Sequence, residues 1–224
     1  MYRILCYGDS NTWGFRPEKP FTRFPHNIRW TGVLRKLLGD DYEVIEEGLN
    51  GRTTVWDDPF GDHKNGKTYL SPCLESHSEL DLVIIMLGTN DLKAYFSLTA
   101  ADVAGGLKAL IGVVKMSGAG RKGTSPEILI VAPPPIGKLS LLAGIYGDQA
   151  APKSEELPAQ ILLITQLLHT QFMDAGQVVT SSELDGVHWE ADQHEFFARA
   201  VHEKIKTIVC ADQERHGDEE KSVP

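Results

Sequence analysis

No stretch of the 224-residue sequence stays apolar for anything near the roughly 20 residues that cross a bilayer, which argues against a helical membrane span. Positive charge is also scarce. Against 31 Asp and Glu stand only 22 Lys and Arg, for a net charge of −9. That balance argues against a broad nucleic-acid-binding face and against adhesion to an anionic membrane surface. Cysteine is limited to Cys6, Cys73 and Cys210, far apart and odd in number, so reduced thiols are expected and not a disulfide framework. The histidines lack metal-ligand spacing, and His194-Glu195 has no second histidine of a zinc-protease helix. Neither a metal nor another cofactor is expected. There is no Gly-x-Ser-x-Gly elbow, which argues against the α/β-hydrolase fold. The glycine-rich run Gly118–Thr124 follows a helical pattern and carries its lysine before its last glycine, so it reads as a surface turn and not a phosphate loop. The first residues, Met-Tyr-Arg-Ile-Leu-Cys, lack the long apolar region of a secretory signal, and a cytoplasmic location is expected.

What is present is an alternation of short apolar runs and helical patterns. Residues 3–8, 43–46, 82–87 and 128–131 read as strands, with a weaker one around Gln177-Val178-Val179. Leu82–Leu87 is apolar on both faces, as the centre of a parallel sheet requires. Between them, Trp30 to Leu38, Val103 to Val114, Ile161 to Phe172 (starting near Pro158) and Phe197 to Ile208 carry apolar residues at helical spacing. Residues 52–78, with Asp-Pro, Asn-Gly and Ser-Pro steps, read as a long irregular excursion, and a Gly-, Pro- and Leu-rich loop follows Pro135 to about residue 153. Strand–helix alternation predicts one three-layer α/β/α domain over residues 1–210, with a parallel sheet of about five strands and a polar C-terminal tail over 211–224.

Polar turns recur at the strand ends: Gly8-Asp9-Ser10, Leu49-Asn50-Gly51, Gly88-Thr89-Asn90-Asp91 and Asp185-Gly186-Val187-His188. In a parallel sheet these ends share one edge, where ligands bind, so Ser10, Gly51, Asn90 and His188 should converge. Together they supply the parts of acyl transfer. Ser10 is a nucleophile if His188 takes its proton, and Asp185 can hold the other imidazole proton. The backbone N–H groups of Ser10 and Gly51 and the Asn90 amide can donate to an oxyanion. Taken singly, each residue has a plainer reading. Ser10, Asn90 and Asp91 can cap helices, His188 can be a satisfied histidine, and Asp9 can hold its turn.

These four blocks, in this order, resemble those of the SGNH (GDSL) hydrolase family. The surrounding wording, such as Arg29–Leu34, Arg52-Thr53-Thr54 and Lys93–Phe96, is similar to the bacterial arylesterases, a mycobacterial acyltransferase among them. The resemblance spans residues 3 to about 209. It implies a flavodoxin-like sheet, a cofactor-free serine esterase with a Ser10–His188–Asp185 triad, an oxyanion hole from Ser10, Gly51 and Asn90, and a homo-oligomer. Asn11 departs from the apolar residue of many relatives, and Asn50 from a serine. The expected substrates are short-chain esters, aryl esters included, with acyl transfer to an alcohol as a further outcome. A carbohydrate deacetylase is the alternative enzyme, and a ligand-binding protein on the same fold the non-enzymatic one. Asn11, Trp13, Trp56 and Ile136 are expected to line the substrate pocket.

Overall fold

Five parallel strands form one sheet in the computed structural model, which describes residues 1–221, with side chains through residue 210. They are β1 (Tyr2–Gly8), β2 (Tyr42–Gly48), β3 (Leu82–Met86), β4 (Glu127–Ala132) and β5 (Gln171–Asp174), in the order β2-β1-β3-β4-β5. Among the described residues seven α-helices accompany them: α1 (Ser10–Trp13), α2 (Trp30–Leu38), α3 (Gly66–His77), α4 (Ala100–Met116), α5 (Ala143–Tyr146), α6 (Ala150–Leu167) and α7 (Ala191–Lys221).

Successive strand residues point to opposite faces, and the core divides accordingly. Leu5, Tyr7, Val83, Ile85, Ile128 and Ile130 pack against Leu70 and Leu74 of α3, Leu107 and Ile111 of α4 and Ile161 of α6. Ile4, Cys6, Leu82, Ile84, Leu129 and Val131 pack against Trp30 and Leu34 of α2 and Phe197, Val201 and Ile205 of α7. This is the expected α/β/α sandwich. Its strand order is flavodoxin-like, and it reverses between β1 and β3. That switch point, beyond the carboxyl ends of the strands, is where open α/β sheets bind their ligands. No described helix is long and apolar enough to cross a membrane.

Four expectations about the elements need correction. The fifth strand is Gln171–Asp174, which pairs with β4, whereas Ala175–Gln177 forms a single 3₁₀ turn. The Val178-Val179 pair suggested the strand, but Val179 instead fills the core beneath α2 and α7. β5 is half-buried along its whole length, so it lacks the apolar signature of the inner strands. The excursion over 52–78 contains α3, whose Leu70, Cys73 and Leu74 are buried despite Pro72 inside it. Pro158 lies well inside α6, which begins at Ala150, and the loop to residue 153 contains α5. In α3 and α6 tertiary burial outweighs a local breaker signal. The stretch 211–224 continues α7 to Lys221, and residues 222–224 lie outside the described residues.

Candidate active site

The carboxyl end of β1 turns at once into α1. Asp9 caps that helix, its Oδ1 accepting the Asn11 N–H at 3.0 Å, while Trp13 N–H donates to Asp9 C=O at 2.9 Å. The Ser10 side chain thus stands at the switch point, at the first position of a four-residue helix. His188 arrives on a loop between the 3₁₀ turn after β5 and α7. Gly186, at φ +80°, makes the reversal that returns the chain toward Ser10, and a Cβ there would come within 2.7 Å of the Lys138 carbonyl oxygen.

The three side chains form one line. His188 Nδ1 lies 2.6 Å from Asp185 Oδ2, and His188 Nε2 lies 3.0 Å from Ser10 Oγ. With the Nδ1 proton held by the carboxylate, Nε2 is left to accept from the hydroxyl. Asp185 is itself fixed, because its Oδ1 accepts from the N–H groups of Val187 and His188, both at 2.9 Å.

Asn90 occupies the 3₁₀ turn after β3 and bridges the neighbouring loops. Its amide donates to the Arg52 carbonyl at 3.1 Å and toward Asp9 Oδ2 at 3.4 Å. Gly51, at φ +77°, turns the chain after β2. Among the described residues nothing accepts a hydrogen bond from the N–H of Ser10 or of Gly51. The turns after β2 and β3 thus meet the end of β1 through Arg52 and Asn90.

These blocks lie inside a region, residues 6–202, that matches the family model described as the GDSL-like lipase/acylhydrolase family. The chain belongs to that family. Its GDSL hydrolase fold is shared with a solved M. smegmatis aryl esterase, 40% identical, over 92% of this chain and 99% of that one, with a TM-score of 0.88. It is also similar to Est24, a carbohydrate acetylesterase from Sinorhizobium meliloti (38% identity, 93% and 100% coverage, TM-score 0.88). A carbohydrate acetylesterase family member from the same organism is 35% identical over 92% of this chain and 98% of its own, with a TM-score of 0.87. No curated protein matches in sequence.

The expected pocket residues of this GDSL hydrolase have different surroundings. Asn11 is buried and bonded to the backbone on either side of His188, accepting from Trp189 N–H at 3.2 Å and donating to Val187 C=O at 3.3 Å. Trp13 carries the Arg23 guanidinium 5.2 Å from its ring centroid. The Trp56 carbonyl accepts from Thr53 Oγ1 at 2.5 Å, and buried Ile136 is pinned by its N–H to Ser154 Oγ at 2.8 Å. Among the described residues none of these last three has a hydrogen bond or ring contact with Ser10, Asp185 or His188.

Three supporting residues escaped sequence reading. Phe15 stacks on the His188 ring, with centroids 4.0 Å apart and planes 25° from parallel. Tyr146 of α5 donates to Asn90 Oδ1 at 3.4 Å, which leaves the Asn90 NH2 directed at Arg52 C=O and Asp9. Arg52 is buried and joins the ends of β1 and β2, donating through Nη1 to the carbonyls of Gly8 and Glu47 while stacking over Tyr7 at 4.1 Å. Phe15 carried a weak signal, an aromatic just past the nucleophile turn. Tyr146 carried none, because its partner lies 56 residues away, and Arg52 stood only in the Arg52-Thr53-Thr54 wording, with Gly8 44 residues away.

The carboxylates differ in charge preference. Burial alone would raise the Asp185 carboxyl, but the bonds from His188 and the two backbone N–H groups outweigh it and hold it below the ordinary 3.8. Burial pushes Asp9 up to about 6 against the backbone bond from Asn11 and the charges of His188 and Arg52. Asp91, buried beneath the site and bonded to Thr54 N–H and Oγ1, is pushed up by burial to about 7.

Among the described residues one group has metal-ligand composition: Glu47, Cys73 and His77, with ligand atoms within 4.8 Å of one another. Glu47 Oε1 and His77 Nε2 already pair at 2.9 Å, and burial, then Glu47, pushes the Cys73 thiol up to about 12. A hollow of about 530 Å3 lined by Leu49, Arg52, Asn65 and Tyr69 adjoins the Gly51 turn. A larger one of about 1290 Å3, over α2, contains no site residue, so hollow size alone does not locate the chemistry.

Proposed function

We propose that this chain hydrolyses short-chain carboxylic esters, aryl esters among them, through an acyl-enzyme on Ser10. One observation carries the reading: the unbroken line from Asp185 through His188 to Ser10 at the β1/β3 switch point. His188 Nε2 takes the Ser10 proton as Oγ bonds to the ester carbon, and Asp185 steadies the imidazolium. The carbonyl electrons move onto oxygen, which receives bonds from the N–H groups of Ser10 and Gly51 and from the Asn90 amide. As the carbonyl reforms, the ester C–O bond breaks and His188 protonates the departing alcohol. Water, deprotonated by the same imidazole, then attacks the acyl-enzyme. The carboxylic acid leaves and Ser10 recovers its proton. An alcohol in place of water would carry the acyl group away, which makes the chain an acyltransferase as well.

Acetylated carbohydrate is the second substrate reading. It is supported by the S. meliloti relatives, described as a carbohydrate acetylesterase and a member of that family, and by two exposed rings, Phe60 and Tyr95, 5.1 Å apart. Flat apolar ring faces suit a sugar ring. The complete triad opposes the ligand-binding alternative. The proposal also keeps a homo-oligomer in the cytoplasm, with a small-molecule ester as the only other partner and no nucleic acid or membrane. Exposed Leu141 and Ile145 support the oligomer.

A chain-length series of aryl esters beside an acetylated sugar, run on the wild type and on Ser10→Ala, tests the reading. The aryl esters should turn over fastest at short acyl length, and Ser10→Ala should lose turnover while keeping its thermal transition. Retained turnover in Ser10→Ala would remove Ser10 as the nucleophile. Faster turnover of the sugar acetate would move the substrate class to carbohydrate.

A further inference from the structure

We infer that Asn11 is a positioning residue for the general base and not part of the substrate pocket, an assignment that rests on the proposed Ser10–His188 chemistry. His188 sits on a loop, outside any helix or strand, and has to meet a serine 178 residues away. Local bonds alone do not place it. The Asp185 Oδ1 bonds to the N–H groups of Val187 and His188, and the Ser182 N–H bond to His188 C=O at 2.7 Å, shape the loop without referring it to Ser10. Gly137 N–H ties the loop to the chain after β4 through Gly186 C=O at 2.7 Å, and Asn11 ties it to the turn that carries Ser10. It is the covalent neighbour of the nucleophile, so its backbone moves with Ser10. Its carboxamide spends both ends on the loop, Nδ2 on the carbonyl before His188 and Oδ1 on the N–H after it.

This two-point contact fixes both distance and rotation of the His188 peptide relative to Ser10. An apolar residue at the position gives neither bond. Asn11 is buried, with only 3% of its surface exposed, and its amide hydrogen-bonding capacity is directed at the loop, which leaves little of it for a substrate. Phe15 completes the arrangement from the ring side, stacking on the imidazole and leaving Nε2 facing Ser10 Oγ.

Asn11→Ala and the isosteric Asn11→Asp separate the two roles. The readouts are kcat, KM and acyl-chain selectivity on short aryl esters, together with the downfield proton resonance of the His188–Asp185 hydrogen bond. Positioning predicts that kcat falls about tenfold to a hundredfold, because a displacement of an ångström or less suffices for such losses. KM and chain-length selectivity should stay within about twofold. The His188–Asp185 resonance should persist, since that bond is local to the loop. Asn11→Asp keeps the acceptor for Trp189 N–H, preserves the shape of the side chain and should retain more kcat than Asn11→Ala. A changed KM or chain-length preference in either variant would put Asn11 in the pocket and overturn the inference, as would unchanged kcat in both. Should Asn11→Ala fail to fold, Asn11→Asp decides by the same readouts. If the wild type itself hydrolyses no ester, the proposed function fails first, and independently of Asn11.

Discussion

Asn90 shows how much of one residue's role the sequence carries and how much only packing supplies. Its place after the most apolar strand marked it as a donor at the sheet edge, and the structure puts its amide between Asp9 and Arg52. What sequence could not reveal is the control of its rotation. Tyr146 reaches the Asn90 carbonyl oxygen from α5, and so the NH2 end is the one turned to Asp9 and Arg52, partners that a proposed oxyanion would have to displace or share. Removing a donor that acts only on the developing charge lowers kcat without weakening ground-state binding. Asn90→Ala should therefore lower kcat on an aryl acetate by about 100- to 1000-fold with KM little changed, measured by steady-state kinetics. A raised KM with kcat preserved would make Asn90 a substrate-binding residue instead. Ser10, Asp185 and His188 were legible for a related reason: each belongs to a short turn with its own motif. The bonds of Asn11 were not legible, because a polar side chain beside a candidate nucleophile reads as a pocket residue until its partners on the far loop are known.

The inner strands β1, β3 and β4 were legible because each has a central run that is apolar and buried on both faces. β5, at the sheet edge, has one partner strand and no such run, and it was sought a few residues too late. α3 was missed for a different reason. Ser71-Pro72 looked like a break, yet the helix is held at its start and along one side. Asn65 Oδ1 accepts from the N–H groups of Lys67 and Thr68 at 3.0 and 3.3 Å, and Leu70 and Leu74 bury fully against the sheet. The same Asn65 donates to Val55 C=O at 2.8 Å, which ties the start of α3 to the chain after Gly51. Asn65→Ala should cost about 1 kcal/mol or somewhat more, since it removes a cap and a loop bond together. Urea unfolding checks this: the midpoint should fall with the slope unchanged. An unaltered midpoint would show that burial of Leu70 and Leu74 alone holds α3 in place.

Taken whole, the molecule gathers three aspartates at the carboxyl edge of its sheet, and they respond to pH in opposite directions. Asp185 is held below 3.8, so its contribution to stability is present above that value and is lost as pH falls. Asp9 and Asp91 are raised, to about 6 and about 7. Their protonated forms favour the folded state, so their contribution is complete below an unfolded value near 3.8 and is lost as pH rises through the folded values. In that window the unfolded chain gives up the proton before the folded chain does, and folding is penalised progressively. Asp91→Asn removes one titration while keeping an acceptor for Thr54 N–H and Oγ1. Whatever its constant effect on stability, the variant should gain on the wild type as pH rises from about 4 to about 7, and the difference should level off above that. Thermal unfolding of both proteins across that range measures the gap. Curves that stay parallel would mean that Asp91 titrates alike in folded and unfolded chains. The buried carboxylate under the Asn90 turn would then be an ordinary anion, fully met by its bonds from Thr54.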